Sequence, residues 1–299
     1  MTRTGGYRNL ARNDRRFQDE ARAEGEKRVM AASITLNGVS KTYQLGRGQS
    51  VQALTSTDLQ LRPGEFFSLV GPSGCGKTTI LNMVAGLLPA TEGEVRIGDT
   101  IIEGPDPRVS VVFQKPVLLR WLSVMDNVLL PSKVKTRITP ELVRSAQQLL
   151  EMTGLGEFAH RYPTELSGGM QQRASIVRAL ASEPMVLLMD EPFSALDEFT
   201  RENLNDEILR LWSQRSQTVV FVTHNIAEAI YLSDRVGVMQ PRPGRLRAIV
   251  DIDLERPRKP SLRSTKRFFE LATQVRTMFD EFVASASSPN GSHARGETA

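Results

Sequence analysis

Five short apolar runs punctuate the chain from residue 66 onward: FFSLV at 66–70, VSVVF at 109–113, MVLLM at 185–189, TVVFV at 218–222 and RVGVM at 235–239. Strands that are apolar on both faces belong to parallel sheets covered by helices, so these runs predict a parallel α/β core. The chain before residue 66 has another texture. Residues 33–39 (SITLNGV) and 56–61 (STDLQL) alternate apolar and polar, and the turn Arg62-Pro63-Gly64 follows, which predicts half-buried strands in an antiparallel edge sheet. Between about 115 and 165 no such run occurs. Helical spacing replaces it, as in residues 139–153, where Leu142, Ala146, Leu149 and Leu150 share a face, and the segment reads as an inserted helical subdomain. A helix over 263–283 places Phe268, Leu271, Val275, Met278 and Phe282 on one stripe.

These patterns divide the 299 residues into a folded unit over 32–257, a C-terminal helix within 258–284, and two ends without periodicity. Residues 1–31 are polar and arginine-rich and predict a disordered basic extension, and 285–299 predict a disordered tail. Met30 lies just ahead of the first strand signal and offers a second start. At 40% hydrophobic and 24% charged residues the chain is globular, and no apolar stretch reaches the ~18 residues that would span a bilayer. The single cysteine, Cys75, rules out an intramolecular disulfide and fits a reducing compartment. The N-terminus has acids among its arginines and no apolar centre, unlike a signal or transit peptide, so a cytoplasmic location is expected. Net charge is +4, concentrated at the ends: residues 1–28 and 255–299 each hold eight bases and five acids. A basic tail can meet anionic lipid or nucleic acid, but solvated tails suffice to explain this charge, and no nucleic-acid partner is expected.

Two motifs carry the chemistry. GPSGCGKT at 71–78 fits the phosphate-loop pattern and lies between an apolar strand and a helix bearing Ile80, Leu81, Val84 and Leu88. Gly71, Gly74 and Gly76 let backbone N–H groups converge on an anion at the positive end of that helix. Gly71, Pro72, Ser73, Gly74, Cys75, Gly76, Lys77, Thr78 and Thr79 are therefore candidate nucleotide contacts, with Lys77 reaching the β- and γ-phosphates and the Thr78 hydroxyl offered to Mg²⁺. Cys75, beside Lys77 and the helix start, is placed where a thiolate is favoured. The second motif is MVLLMDE at 185–191: Asp190 is a candidate for the Mg²⁺ shell, and Glu191, one residue on, for the general base that activates water.

Many nucleotide hydrolases share these two features. LSGGM at 166–170, followed by QQRASIVRALA, resembles the signature motif of ATP-binding cassette (ABC) ATPases. Ser167, Gly168 and Gly169 open a helix with bare N–H groups, a second anion seat. The resemblance implies a RecA-like core with an inserted helical subdomain, and a head-to-tail homodimer in which each signature completes the other copy's ATP site. It also implies roles for four further positions. Tyr43 would stack on adenine, Gln114 would sense Mg²⁺ and water at the start of the insertion, Ser194–Asp197 would lie at the dimer interface, and His224 would contact the γ-phosphate.

Residues 111–131 and 235–258 are similar to importer ATPases for nitrate, sulfonates and taurine, except that Arg120 stands where a proline is usual before Trp121. The subfamily implies integral-membrane permease subunits, a solute-binding protein acting indirectly, and a peripheral position on the cytoplasmic face of the inner membrane. The alternative is a soluble ABC ATPase of DNA repair, chromosome maintenance or translation. The first two would need a long coiled-coil insertion, and translation factors carry two cassettes in one chain.

Overall fold

The computed structural model describes residues 31–287 except 47, 136, 195, 216 and 242, so all but the last residue of the expected extension at 1–31 and most of the expected tail lie outside the described residues. The described strands are β1 (Ile34–Leu45), β2 (Gln49–Leu61), β3 (Phe66–Val70), β4 (Glu92–Ile97), β5 (Thr100–Ile101), β6 (Val109–Val112), β7 (Val186–Asp190), β8 (Thr218–Thr223), β9 (Arg235–Gln240) and β10 (Arg245–Asp251). The described α-helices are α1 (Lys77–Val84), α2 (Val124–Lys135), α3 (Pro140–Met152), α4 (Gly168–Ala181), α5 (Glu198–Arg215), α6 (Ile226–Leu232) and α7 (Lys266–Ser287).

One sheet has the order β10-β9-β3-β8-β7-β6, and the other β2-β1-β4-β5. The five apolar runs become β3, β6, β7, β8 and β9, all parallel to one another. Their two faces feed two cores. Phe66, Leu187, Met189, Val219 and Phe221 pack under the helices, while Phe67, Val186, Leu188, Val220 and Val222 pack with α1 against the antiparallel sheet. Burial on both faces is why these strands show no alternation.

Three strands escaped the sequence pattern. β4 and β5 extend the antiparallel sheet, and β10 adds an antiparallel edge to β9. β10 buries only Val250 fully, so its sequence carries little apolar signal. The helix after the phosphate loop also stops sooner than expected, at Val84, leaving Leu88 beyond it. Gly86 turns the chain with φ 69°, and a Cβ there would fall 1.9 Å from the Gly104 carbonyl oxygen, so the backbone leaves the helix to pack on another loop.

The segment from Gln114 to Ser167 contains no strand among its described residues. Helix α3 is held at its start by Thr139, whose hydroxyl accepts from Leu142 N at 3.4 Å, and it buries Ala146, Leu149 and Leu150. Helix α7 begins at Lys266, three residues later than its expected start at Arg263, and buries Phe268, Leu271 and Val275.

Candidate functional site

The phosphate loop leaves β3 at Val70 and enters α1 at Lys77. Gly71 has no room for a side chain, since a Cβ would lie 2.7 Å from Cys75 Sγ and 2.9 Å from Met239 Cβ and O. Gly76 caps α1 with φ 94°, a left-handed turn that glycine adopts without strain. Lys77 is 5% exposed and its ammonium donates to Gly71 O at 2.7 Å and Pro72 O at 3.0 Å, which bends it over the loop. The thiolate expectation for Cys75 is corrected here. The thiol is buried, and burial pushes its pKa up more strongly than Lys77 and the loop N–H groups pull it down.

Strand β7 ends at Asp190, and the next residue leaves the sheet in an unusual conformation. Glu191 has φ 43°, in the left-handed region that side chains other than glycine rarely enter, and its N–H is tied to Val222 O at 2.9 Å. Such strain persists where surrounding structure enforces it, often at a working site. The turn aims the Glu191 carboxylate between two cationic or polar partners: Oε1 is 4.0 Å from Lys77 Nζ, and Oε2 is 3.2 Å from His224 Nδ1. Thr78 Oγ1 donates to Asp190 Oδ1 at 3.1 Å, and Gln114 Nε2 donates to Ser194 Oγ at 3.3 Å.

An open cleft of about 280 Å³ results, lined by Ala53, Ser73, Gly74, Gly76, Lys77, Thr78, Thr79, Gln114 and Glu191. Burial is the main influence on Asp190 and raises its pKa; the Thr78 hydroxyl and Lys77 oppose this, and the Glu191 charge adds to it. A carboxylate raised this way is short of positive charge. Among the described residues no three His, Cys, Asp or Glu side chains gather around one point, so a cation beside Thr78 and Asp190 would need phosphate and water to complete its shell. Hard oxygen donors in that number suit Mg²⁺.

Two sets of expected contacts lie apart from the cleft. Ser167, Gly168 and Gly169 form the exposed start of α4, where Ser167 Oγ accepts from Met170 N at 3.3 Å, and none lines the cleft. Tyr43 pairs with Val51 across β1 and β2, two residues from the cleft-lining Ala53, and Lys41 Nζ lies 5.4 Å from its ring centroid.

The sequence reading missed Gly244, whose N–H donates to Ala53 O at 3.1 Å and whose carbonyl accepts from Thr55 N at 2.9 Å. It presses on the back of the phosphate loop, where a Cβ would come 2.3 Å from Cys75 O. The Arg-Pro-Gly turn was visible, but its contact with a loop 169 residues earlier was not.

Comparison with known proteins agrees with this arrangement. The ABC transporter family profile matches residues 54–194. The chain is similar to the taurine import ATP-binding protein TauB of Ruegeria pomeroyi, 43% identical over 215 residues, or 72% of this chain and 80% of that protein. It is similar to the aliphatic sulfonates import ATP-binding protein SsuB of Bacillus thuringiensis subsp. konkukian, 39% identical over 83% of this chain and 96% of that one. Among solved structures, a dimeric ATP-binding cassette in a post-hydrolysis state bound to ADP and Pi superposes with a TM-score of 0.66 at 35% identity, covering 74% of this chain and all of that one. With the phosphate loop, the acidic strand end and the LSGGM helix on one α/β frame, the chain belongs to the ABC transporter family as an ATP-binding subunit that hydrolyses ATP.

Proposed function

We propose that this protein energises uptake of a small solute of the nitrate, sulfonate and taurine class, two copies working beneath a separate integral-membrane permease that a solute-binding protein supplies. The observation that carries the coupling is a pair of adjacent residues. Gln114 lines the nucleotide cleft, and Phe113 lines an apolar groove of about 530 Å³ between the end of α1, β6, α2 and α4. Leu87, Val134 and Pro131 also line that groove, and exposed apolar surface of this kind suits a helix from another subunit. The Arg178 guanidinium donates to Val117 O and fixes the strand-free segment that follows Gln114. Trp121 stands 73% exposed farther along the same segment, so a core role for it is set aside.

In this reading the phosphate-loop N–H groups and Lys77 hold the β- and γ-phosphates, Lys77 exchanging the Gly71 and Pro72 carbonyls for phosphate oxygens. Tyr43 offers its half-exposed ring to adenine. Mg²⁺, held by Thr78, Asp190 and Gln114, would neutralise phosphate charge in the cleft. Glu191 takes the proton from the attacking water, and His224 orients that carboxylate and faces the γ-phosphate. Ser167, Gly168 and Gly169 serve the second copy's nucleotide, which accounts for their distance from this chain's own cleft. ATP bridging two copies favours the closed pair, and its hydrolysis removes that preference; the difference drives the permease. Among the described residues no helix is long and apolar enough to cross a membrane, and a peripheral place on the cytoplasmic face of the inner membrane fits the subunit.

The test is Trp121→Ala with Leu122→Ser. ATPase activity of the purified protein should stay within about threefold, because neither residue lines the cleft, while recovery with native membranes and uptake of taurine, an alkanesulfonate or nitrate should be lost. Normal membrane recruitment of the variant would overturn the docking assignment.

A further inference from the structure

Glu228 is 6% exposed at the start of α6 and has no place in the hydrolytic scheme above. One of its oxygens, Oε2, accepts from Thr223 Oγ1 at 2.6 Å. The other, Oε1, forms an ion pair with Arg201 Nε at 3.3 Å, and neither of these two buried atoms makes a hydrogen bond. Removing one member of such a pair strands the other charge, so the two side chains are bound to each other's position.

Each member also holds a segment that reaches the cleft. Arg201 Nη2 donates to Leu196 O at 3.0 Å, in the turn between Glu191 and α5. On the other side, Thr223 Oγ1 accepts from Asn225 N at 3.0 Å, and Asn225 Oδ1 accepts from Glu228 N at 3.1 Å. His224 lies between Thr223 and Asn225, and its ring meets Glu191 at 3.2 Å. Arg201, His224 and Asn225 border a common cavity beside α7.

We infer that Arg201 and Glu228 are positioning residues for hydrolysis: their ion pair is a strut that holds the Glu191 turn and the His224 loop in register, so that the Glu191–His224 contact is set from both ends. This rests on the assignment of Glu191 and His224 to the hydrolytic site. Orientation errors near 1 Å cost up to about a hundredfold in rate, so the strut acts on turnover more than on nucleotide binding, to which neither residue contributes a contact.

The experiment compares full-length Glu228→Gln, which keeps an acceptor for Thr223 but loses the charge, with Arg201→Met, the double variant and Arg201→Lys. Turnover, affinity for a non-hydrolysable ATP analogue and melting temperature are measured on each, with Glu191→Gln alongside. Each of the first two should lose about ten- to a hundredfold in kcat with analogue affinity held within about twofold. The double variant should be no slower than the slower single one, because both remove one interaction. Arg201→Lys should recover part of the loss, and it carries the comparison together with Glu228→Gln where Arg201→Met does not fold. Folded variants with kcat within about twofold of wild type, or losses that multiply in the double variant, would overturn the strut. Turnover retained by Glu191→Gln would overturn the hydrolytic assignment instead, which keeps the two failures apart.

Discussion

Asp190 and Glu191 are consecutive carboxylates with different surroundings, and the difference separates their work. Burial raises the pKa of Asp190, so the native state holds its proton more tightly than the unfolded chain does. The sign follows. Ionising Asp190 costs native stability as pH rises through its unfolded value, and the full cost is present once pH exceeds the raised folded value. At neutral pH without nucleotide, Asp190→Asn removes that cost and should raise the melting temperature while losing Mg²⁺-dependent turnover. Calorimetry together with an ATPase assay checks both halves, and a lowered melting temperature would contradict the placement. Both carboxylates were legible in the sequence because the apolar strand beneath them carries its own signal. The left-handed turn at Glu191 was not, since its tie to Val222 O comes from a strand more than thirty residues later. The Cys75 expectation failed for a similar reason: Lys77 and the helix start are local, whereas the burial that decides the thiol comes from the distant neighbours of the phosphate loop.

At the scale of elements, the parallel strands could be read from sequence because burial on both faces makes them continuously apolar. The edge strands could not: β10 exposes most of its positions, and only its pairing with β9 makes it a strand. Yet the start of β10 matters to the site, because Gly244 wedges between Ala53 O and Cys75 O behind the phosphate loop. Both obstacles to a side chain are backbone atoms and cannot rotate away. Gly244→Ala should therefore cost about 1–3 kcal/mol of stability by overpacking and displace the phosphate loop, weakening nucleotide binding more than it slows turnover. Titration with a fluorescent ATP analogue alongside a melting curve checks this, and unchanged affinity would show that the loop does not lean on β10.

Over the whole molecule, the proposed function makes the cleft half of a site. Lys77, Thr78, Gln114, Glu191 and His224 converge in one copy, while the exposed α4 start with Ser167, Gly168 and Gly169 faces elsewhere. In the proposed reading a second copy, placed head to tail, would supply the second seat, and the apolar groove beside Phe113 would carry its closure to a permease. Light scattering of Glu191→Gln tests the head-to-tail pairing most directly. Removing the proposed base should lower turnover by about 10²–10⁴ while leaving ATP binding intact, so MgATP should convert the variant to a stable dimer and MgADP should not. A variant that binds MgATP to saturation and remains a monomer, or one that keeps wild-type turnover, would contradict it.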